Sequence, residues 1–122
     1  MTKSFRALFV LGFAAFAMTG LARPAAASDG LWSVLIVTEK GTCDRGYRYP
    51  VRIVRGVVKH ADGANSSFDI RGRARGGRIT VTVSRGSQSA SGSGRIGATS
   101  GTGTWRTKSG ECSGTWTAEK RG

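Results

Sequence analysis

Beyond residue 28 the apolar side chains recur at every second position, the period of a strand that buries one face. Trp32, Val34 and Ile36 open the series. Tyr47, Tyr49, Val51 and Ile53 follow, then Phe68 and Ile70, then Ile79, Val81 and Val83. Glycine-bearing breaks fall between these runs, at Gly41, Arg55-Gly56, Asp62-Gly63, Gly76-Gly77, Arg85-Gly86, Gly97 and Ser109-Gly110. No stretch after Ser28 carries a helical period. The pattern predicts an all-β domain of about eight strands, near 31–39, 47–55, 57–61, 66–72, 78–84, 88–96, 99–107 and 111–119. Connections this short favour an antiparallel meander, and a meander of this size closes into an up-and-down barrel that has no exposed edges. A two-sheet sandwich is the alternative. Pro50 suggests an edge, a bulge or a strand start where it stands.

The topology brings the two cysteines together. With alternating strand directions, Cys43 lies in the loop after the first strand and Cys112 at the start of the eighth, both at one end. In a closed barrel those strands are neighbours. A Cys43–Cys112 disulfide is therefore expected, and the loop it closes corresponds to roughly 4 kcal/mol on the chain-entropy model. A metal site or reactive thiol would need clustered Cys and His ligands or a Cys-x-x-Cys spacing, which are missing.

The tripeptide Gly-Thr-Trp occurs twice in "GTWRTKSGECSGTW". With Ser109-Gly110 at the hairpin turn, Gly103 faces Trp116 and Trp105 faces Gly114, all four inward. Each indole then lies over a glycine of the neighbouring strand. Gly92, Gly94 and Gly101 extend this small inward surface. Alternation of large and small residues suits a narrow barrel filled by its own side chains, which is the favoured expectation; an aromatic-walled pocket built on Trp32, Trp105 and Trp116 is the other.

The first residues read as a secretory signal. Lys3 and Arg6 precede an apolar run over 7–22, shorter than the roughly 20 residues of a bilayer span, and Ala25-x-Ala27 supplies a cleavage pattern. The expected organisation is a leader over 1–27 and one barrel domain over 28–122, periplasmic or secreted, with no membrane span after cleavage. Such compartments preserve disulfides.

Across the chain 19 Lys and Arg stand against 7 Asp and Glu, a net charge of +12. The excess survives loss of the leader and is mostly arginine. Arg48, Arg52, Arg71, Arg73, Arg78, Arg95 and Arg106 take the outward parity of their strands. Arg55, Arg73, Arg75, Arg78, Arg95 and Arg121 map, with Lys120, to the end opposite the cysteines. They form a candidate anion site, since the planar guanidinium fork matches paired oxygens. A solubilising surface is the plain alternative.

Catalytic chemistry is not legible. His60 is the single histidine, the acids are scattered, and no triad or carboxylate pair converges. Gly92-Ser-Gly-Arg-Ile-Gly97 matches a dinucleotide fingerprint in letters only, because no helix follows it. No enzyme activity, cofactor or metal is expected.

The stretches "LWSVLIVTEKGTCDRGYRYPVRI", "VTVSRGSQSASGSGRI" and "SGTGTWRTKSGECSGTWTAEKR" resemble a family of small exported proteins of alphaproteobacteria. Gly30-Leu31-Trp32 is similar to the Gly-x-Trp opening of lipocalin and avidin-like barrels, and the disulfide-bearing small barrel is similar to periplasmic metalloprotease inhibitors. These resemblances imply compartment and barrel architecture, with no site residue carried over. The functional expectation is an exported binding module that contacts an anionic envelope glycan or lipid through its arginine-rich end. Alternatives are an inhibitor of a co-exported hydrolase and a carrier of a small apolar ligand. Nucleic acid is not expected as a physiological partner.

One test follows from the cysteine placement. Reducing the Cys43–Cys112 bridge should lower stability by roughly 2–5 kcal/mol, measured as the shift between denaturant curves taken with and without reductant.

Overall fold

Alternation yields eight strands: β1 (Gly30–Lys40), β2 (Gly46–Val54), β3 (Val57–His60), β4 (Asp69–Arg75), β5 (Arg78–Arg85), β6 (Gln88–Ile96), β7 (Ser100–Thr107) and β8 (Ser113–Lys120). In the computed structural model, which describes residues 27–62 and 67–122, they form one closed antiparallel barrel in chain order. β1 meets β8 from Trp32↔Lys120 to Lys40↔Ser113, with one irregularity between Thr38 and Lys40. Closure excludes the sandwich. The leader expected over 1–27 lies, apart from Ala27, outside the described residues.

A fourth strand expected over 66–72 instead starts at Asp69 and runs to Arg75. The Gly76-Gly77 turn, with φ of 59° and 81°, lets β4 continue to the Arg75↔Arg78 pair. Gly72 lies inside the strand because β5 approaches there: a Cβ at Gly72 would stand 2.5 Å from the Thr80 carbonyl oxygen. Pro50 sits inside β2, opposite Ser33. Its carbonyl accepts from Ala61 N at 3.1 Å just past the end of β3. In an antiparallel strand a residue's N and O face the same neighbour, so the missing N–H falls where β3 has run out.

The base is packed solid. Trp32 and Ile53 are each 1% exposed, and Val58, Ile70, Ile79, Ile96 and Ala118 are buried around them. The segment before β1 closes this end. Trp32 Nε1 donates to Ser28 O at 2.8 Å, and the Asp29 carboxylate accepts from Arg55 N at 2.8 Å and Gly56 N at 3.1 Å. Lys120 Nζ donates to Ala27 O at 2.8 Å and lies 5.6 Å from the Trp32 ring centroid.

At the other end the Cys43–Cys112 disulfide is formed, with a Cα–Cα distance of 6.1 Å. It joins the β1–β2 loop to the residue preceding β8. Cys43 N also donates to Cys112 Sγ at 3.2 Å.

The paired Gly-Thr-Trp units have the expected register, Gly103↔Trp116 and Trp105↔Gly114. Each indole spans a strand. Trp116 on β8 crosses β7 and donates from Nε1 to Ser93 O on β6 at 3.3 Å. Trp105 on β7 crosses β8 and donates to Val37 O on β1 at 3.0 Å. Gly103 is needed for the first crossing, since a Cβ there would stand 2.6 Å from Trp116 Nε1 and would also meet Ser93 O. Gly114 differs from the expectation: what presses on it is the β1 backbone, the Val37 carbonyl, and not the Trp105 ring.

Gly103→Val and Gly114→Val should therefore each destabilise the barrel by more than the roughly 1–3 kcal/mol of ordinary overpacking, because the obstacles include backbone. Chemical denaturation measures this; parental stability in both variants would mean that neither crossing is tight.

Candidate functional site

Packing changes along the barrel axis. Toward the disulfide end, inward positions on β5 and β6 hold Val81, Val83, Ala90 and Gly92, smaller than the isoleucines and Trp32 of the base. A cavity of about 360 Å³ remains there. It reaches the mouth between the β1–β2 loop, the β5–β6 hairpin and the end of β7. Interior filling, the favoured expectation, thus describes the base, whereas the upper half is a pocket.

Its walls are apolar, drawn from Val34, Ile36, Tyr49, Val81, Trp105 and Trp116 among others. The charged members of its lining are Asp44 and Arg85 alone, both at the rim. Of the three tryptophans named from sequence, all line the cavity: Trp32 at its floor, Trp105 and Trp116 on one wall, each indole N–H bonded to a backbone carbonyl. Their polar atoms are satisfied, and their hydrocarbon faces are what the cavity receives.

One side of the mouth is an aromatic cluster that the sequence did not single out as a unit. Tyr49 stacks with Tyr47, His60 and Phe68 at centroid separations of 5.9, 6.0 and 6.4 Å. Arg85 lies 5.5 Å from the Phe68 ring centroid. These rings stand where β3 has ended and β2 continues without its neighbour. The signal in the sequence was Tyr47 and Tyr49 on the inward parity of β2, but their partners come from segments whose pairing alternation does not reveal. Burial, reinforced by Tyr47, pushes the Tyr49 hydroxyl up to about 12. Tyr47 is also raised, first by burial and then by the Asp44 carboxylate.

His60 ends β3 with its ring against Tyr49 and its Nδ1 accepting from Asp62 N at 3.0 Å. Among the described residues no group of three His, Cys, Asp or Glu side chains gathers as a metal site. No helix among them is long and apolar enough to cross a membrane.

The arginines of the base are only partly brought together. Arg75 faces Arg78, and Arg78 faces Arg95. Ala74 N donates to Gly56 O at 2.8 Å, which sets Arg55 beside Arg75 in the same row. Arg73 stands one row inward, between Val57 and Thr80. Arg121 does not join as a free cation, because it pairs with Glu119 at 3.3 Å.

Comparison with family models, with curated proteins and with solved structures gave no match.

The tyrosine cluster makes stability depend on alkaline pH. Tyr49 has a higher pKa folded than its unfolded value of 10.0, so folding is fully supported below pH 10. As pH rises from about 10 to about 12 the unfolded chain loses the proton while the folded one keeps it, and stability falls, on the order of 2–3 kcal/mol. Tyrosinate absorbance should show one phenol resisting ionisation until the barrel opens, and Tyr49→Phe should remove that part of the alkaline loss.

Proposed function

We propose that this chain is an exported binding barrel that takes a small, mostly apolar ligand into its upper cavity through the disulfide end. The observation that carries this is the cavity of about 360 Å³ with charge confined to its rim. Small-molecule pockets occupy about 300–1,000 Å³ and combine apolar walls with a few placed polar groups. At ~30 Å³ per water the space takes about a dozen, and walls of valine, isoleucine and indole give them few partners. An apolar ligand replaces that solvent favourably. Arg85 and Asp44 then meet whatever polar group the ligand leaves at the mouth.

Export is part of the proposal. It is supported by the leader pattern before Ser28 and by a disulfide in a barrel of this size, which an oxidising compartment maintains. The bridge tethers the β1–β2 loop beside the mouth and so holds part of the rim in place.

Anilinonaphthalene sulfonate and lauric acid are suitable probes, because Trp105 and Trp116 on the wall report occupancy. Titration should change tryptophan emission saturably. Val83→Phe should cut probe affinity by about tenfold or more while costing little stability, since the ring enters open space where an overpacked core would lose roughly 1–3 kcal/mol. Undiminished probe binding by a stable Val83→Phe protein, or strong destabilisation by the same change, would overturn the proposal.

A further inference from the structure

The base of the barrel sets like charges against one another across three successive strands, where elsewhere among the described strand pairs a single such pair occurs, Arg52 opposite Lys59. Directly opposed like charges destabilise a sheet, yet Arg75, Arg78 and Arg95 stand abreast on β4, β5 and β6. Arg55 extends the row at the β2–β3 turn, held there by the hydrogen bond that Ala74 N donates to Gly56 O. Among the described residues none of these four forms an ion pair, although Arg71 and Arg121 do, with Asp69 and Glu119. The carboxylate at the same end, Asp29, is engaged by the backbone amides of Arg55 and Gly56. Threonine or serine occupies most other outward positions of β5 and β6, so an uncharged row was open to this sheet. Where a local rule is broken without internal compensation, a partner outside the fold is the physical explanation.

We infer that this row is a docking site for an acidic polysaccharide, a chain carrying carboxylates at regular intervals. The geometry is linear. Neighbouring strands lie about 4.7–4.9 Å apart, so the row from Arg55 to Arg95 extends over roughly 15 Å along a convex, exposed rim. A single small anion reaches two guanidinium groups at most, whereas a repeating chain meets all four, and each planar fork pairs with a carboxylate in two-point geometry. Multiple weak contacts on one chain then add as an intramolecular series.

Two other polyanions fit less well. Surface-bound membrane proteins combine basic residues with Trp, Phe or Leu that enter the headgroup region. Val54, 41% exposed, is the single large apolar side chain exposed at this end among the described residues. Single-stranded nucleic acid is held by stacking on aromatic platforms, and β3 to β6 contain no Phe, Tyr or Trp. This site is independent of the cavity, which opens at the opposite end.

Calorimetric titration of the purified protein with galacturonate oligomers of increasing length tests the inference. Affinity should climb with length to about four sugars and then level off, with the monomer bound at least about tenfold more weakly. Changing Arg75, Arg78 and Arg95 together to lysine keeps the charge; it should weaken tetramer binding by about tenfold, with the unfolding midpoint and anilinonaphthalene sulfonate binding in the cavity unchanged. Arg78→Thr should raise the unfolding midpoint while losing the tetramer, because the row is in tension with itself. The inference is overturned if the lysine variant binds as the parent does, if Arg78→Thr lowers the midpoint, or if phosphatidylglycerol vesicles or oligodeoxythymidine bind as tightly per charge as the uronate chain.

Discussion

Closing eight short strands into a ring is the constraint on which the rest of this molecule depends. The ring closes between β1 and β8, and near that seam the backbones crowd. A Cβ on Gly94, Gly103 or Gly114 would run into a carbonyl oxygen of the adjoining strand. Glycine at these three inward positions of β6, β7 and β8, as at Gly72 on β4, is thus required by close backbone approach, and conformational freedom is a lesser part of its role there. Glycine in strands carries an entropic cost and gives nothing to pack. The two tryptophans offset that by lying across the strands whose side chains are missing. Trp116 ties β8 to β6 and Trp105 ties β7 to β1. Together with the disulfide they connect the last three strands to the first, where a meander would otherwise fray.

The cavity follows from the same economy. Branched side chains on β1 to β5 and Trp32 fill the narrow base, but toward the mouth they face Ala90, Gly92 and the flat side of an indole. These lie too low on the wall to fill the space. Closure therefore leaves a pocket at the end where the strands that close the ring carry the least volume. The mouth is widened further because β3 stops at His60 while β2 continues past it. Tyr49, Phe68 and the His60 ring stack across that gap, beyond the bond from Ala61 N to Pro50 O.

Much of this was legible in the order of residues, for definite reasons. Period-two alternation is a direct consequence of the pleat, so eight strands, their inward faces and an all-β class could be read from it. The Gly-Thr-Trp register followed from one turn, because a hairpin turn sets every pair beyond it. Cys43 and Cys112 could be matched because closure makes the first and last strands neighbours. The bounds of β4 were misplaced because Phe68 keeps the period of two without pairing in the ladder, while beyond Ile70 the inward positions are Gly72 and Ala74, too small to extend the apolar signal to Arg75. The hollow upper half was beyond reach: alternation says which side chains point inward, not how much space they leave. The loss of Arg121 to Glu119 was likewise invisible, since parity places both on the outer face without showing that they touch.

Charge divides the two ends as volume does. Glu39, Glu111 and Glu119 lie on or beside β1 and β8, and Asp44, Asp62 and Asp69 lie toward the mouth. Little acid remains to screen the base beneath β4 to β6, and Asp29 is held by the β2–β3 turn. A barrel has no edges to offer a partner through backbone pairing, so what it can present is an interior and the side chains of its rims. Here the interior opens at one rim, and the unbalanced arginines stand at the other. The 8-residue strands β5, β7 and β8, at about 3.3 Å per residue, separate the two by more than a Debye length, which is ≈ 8 Å at physiological salt. Binding at one end would leave the field at the other almost unchanged, so the two proposed sites are electrostatically independent, and occupancy of one would not exclude occupancy of the other.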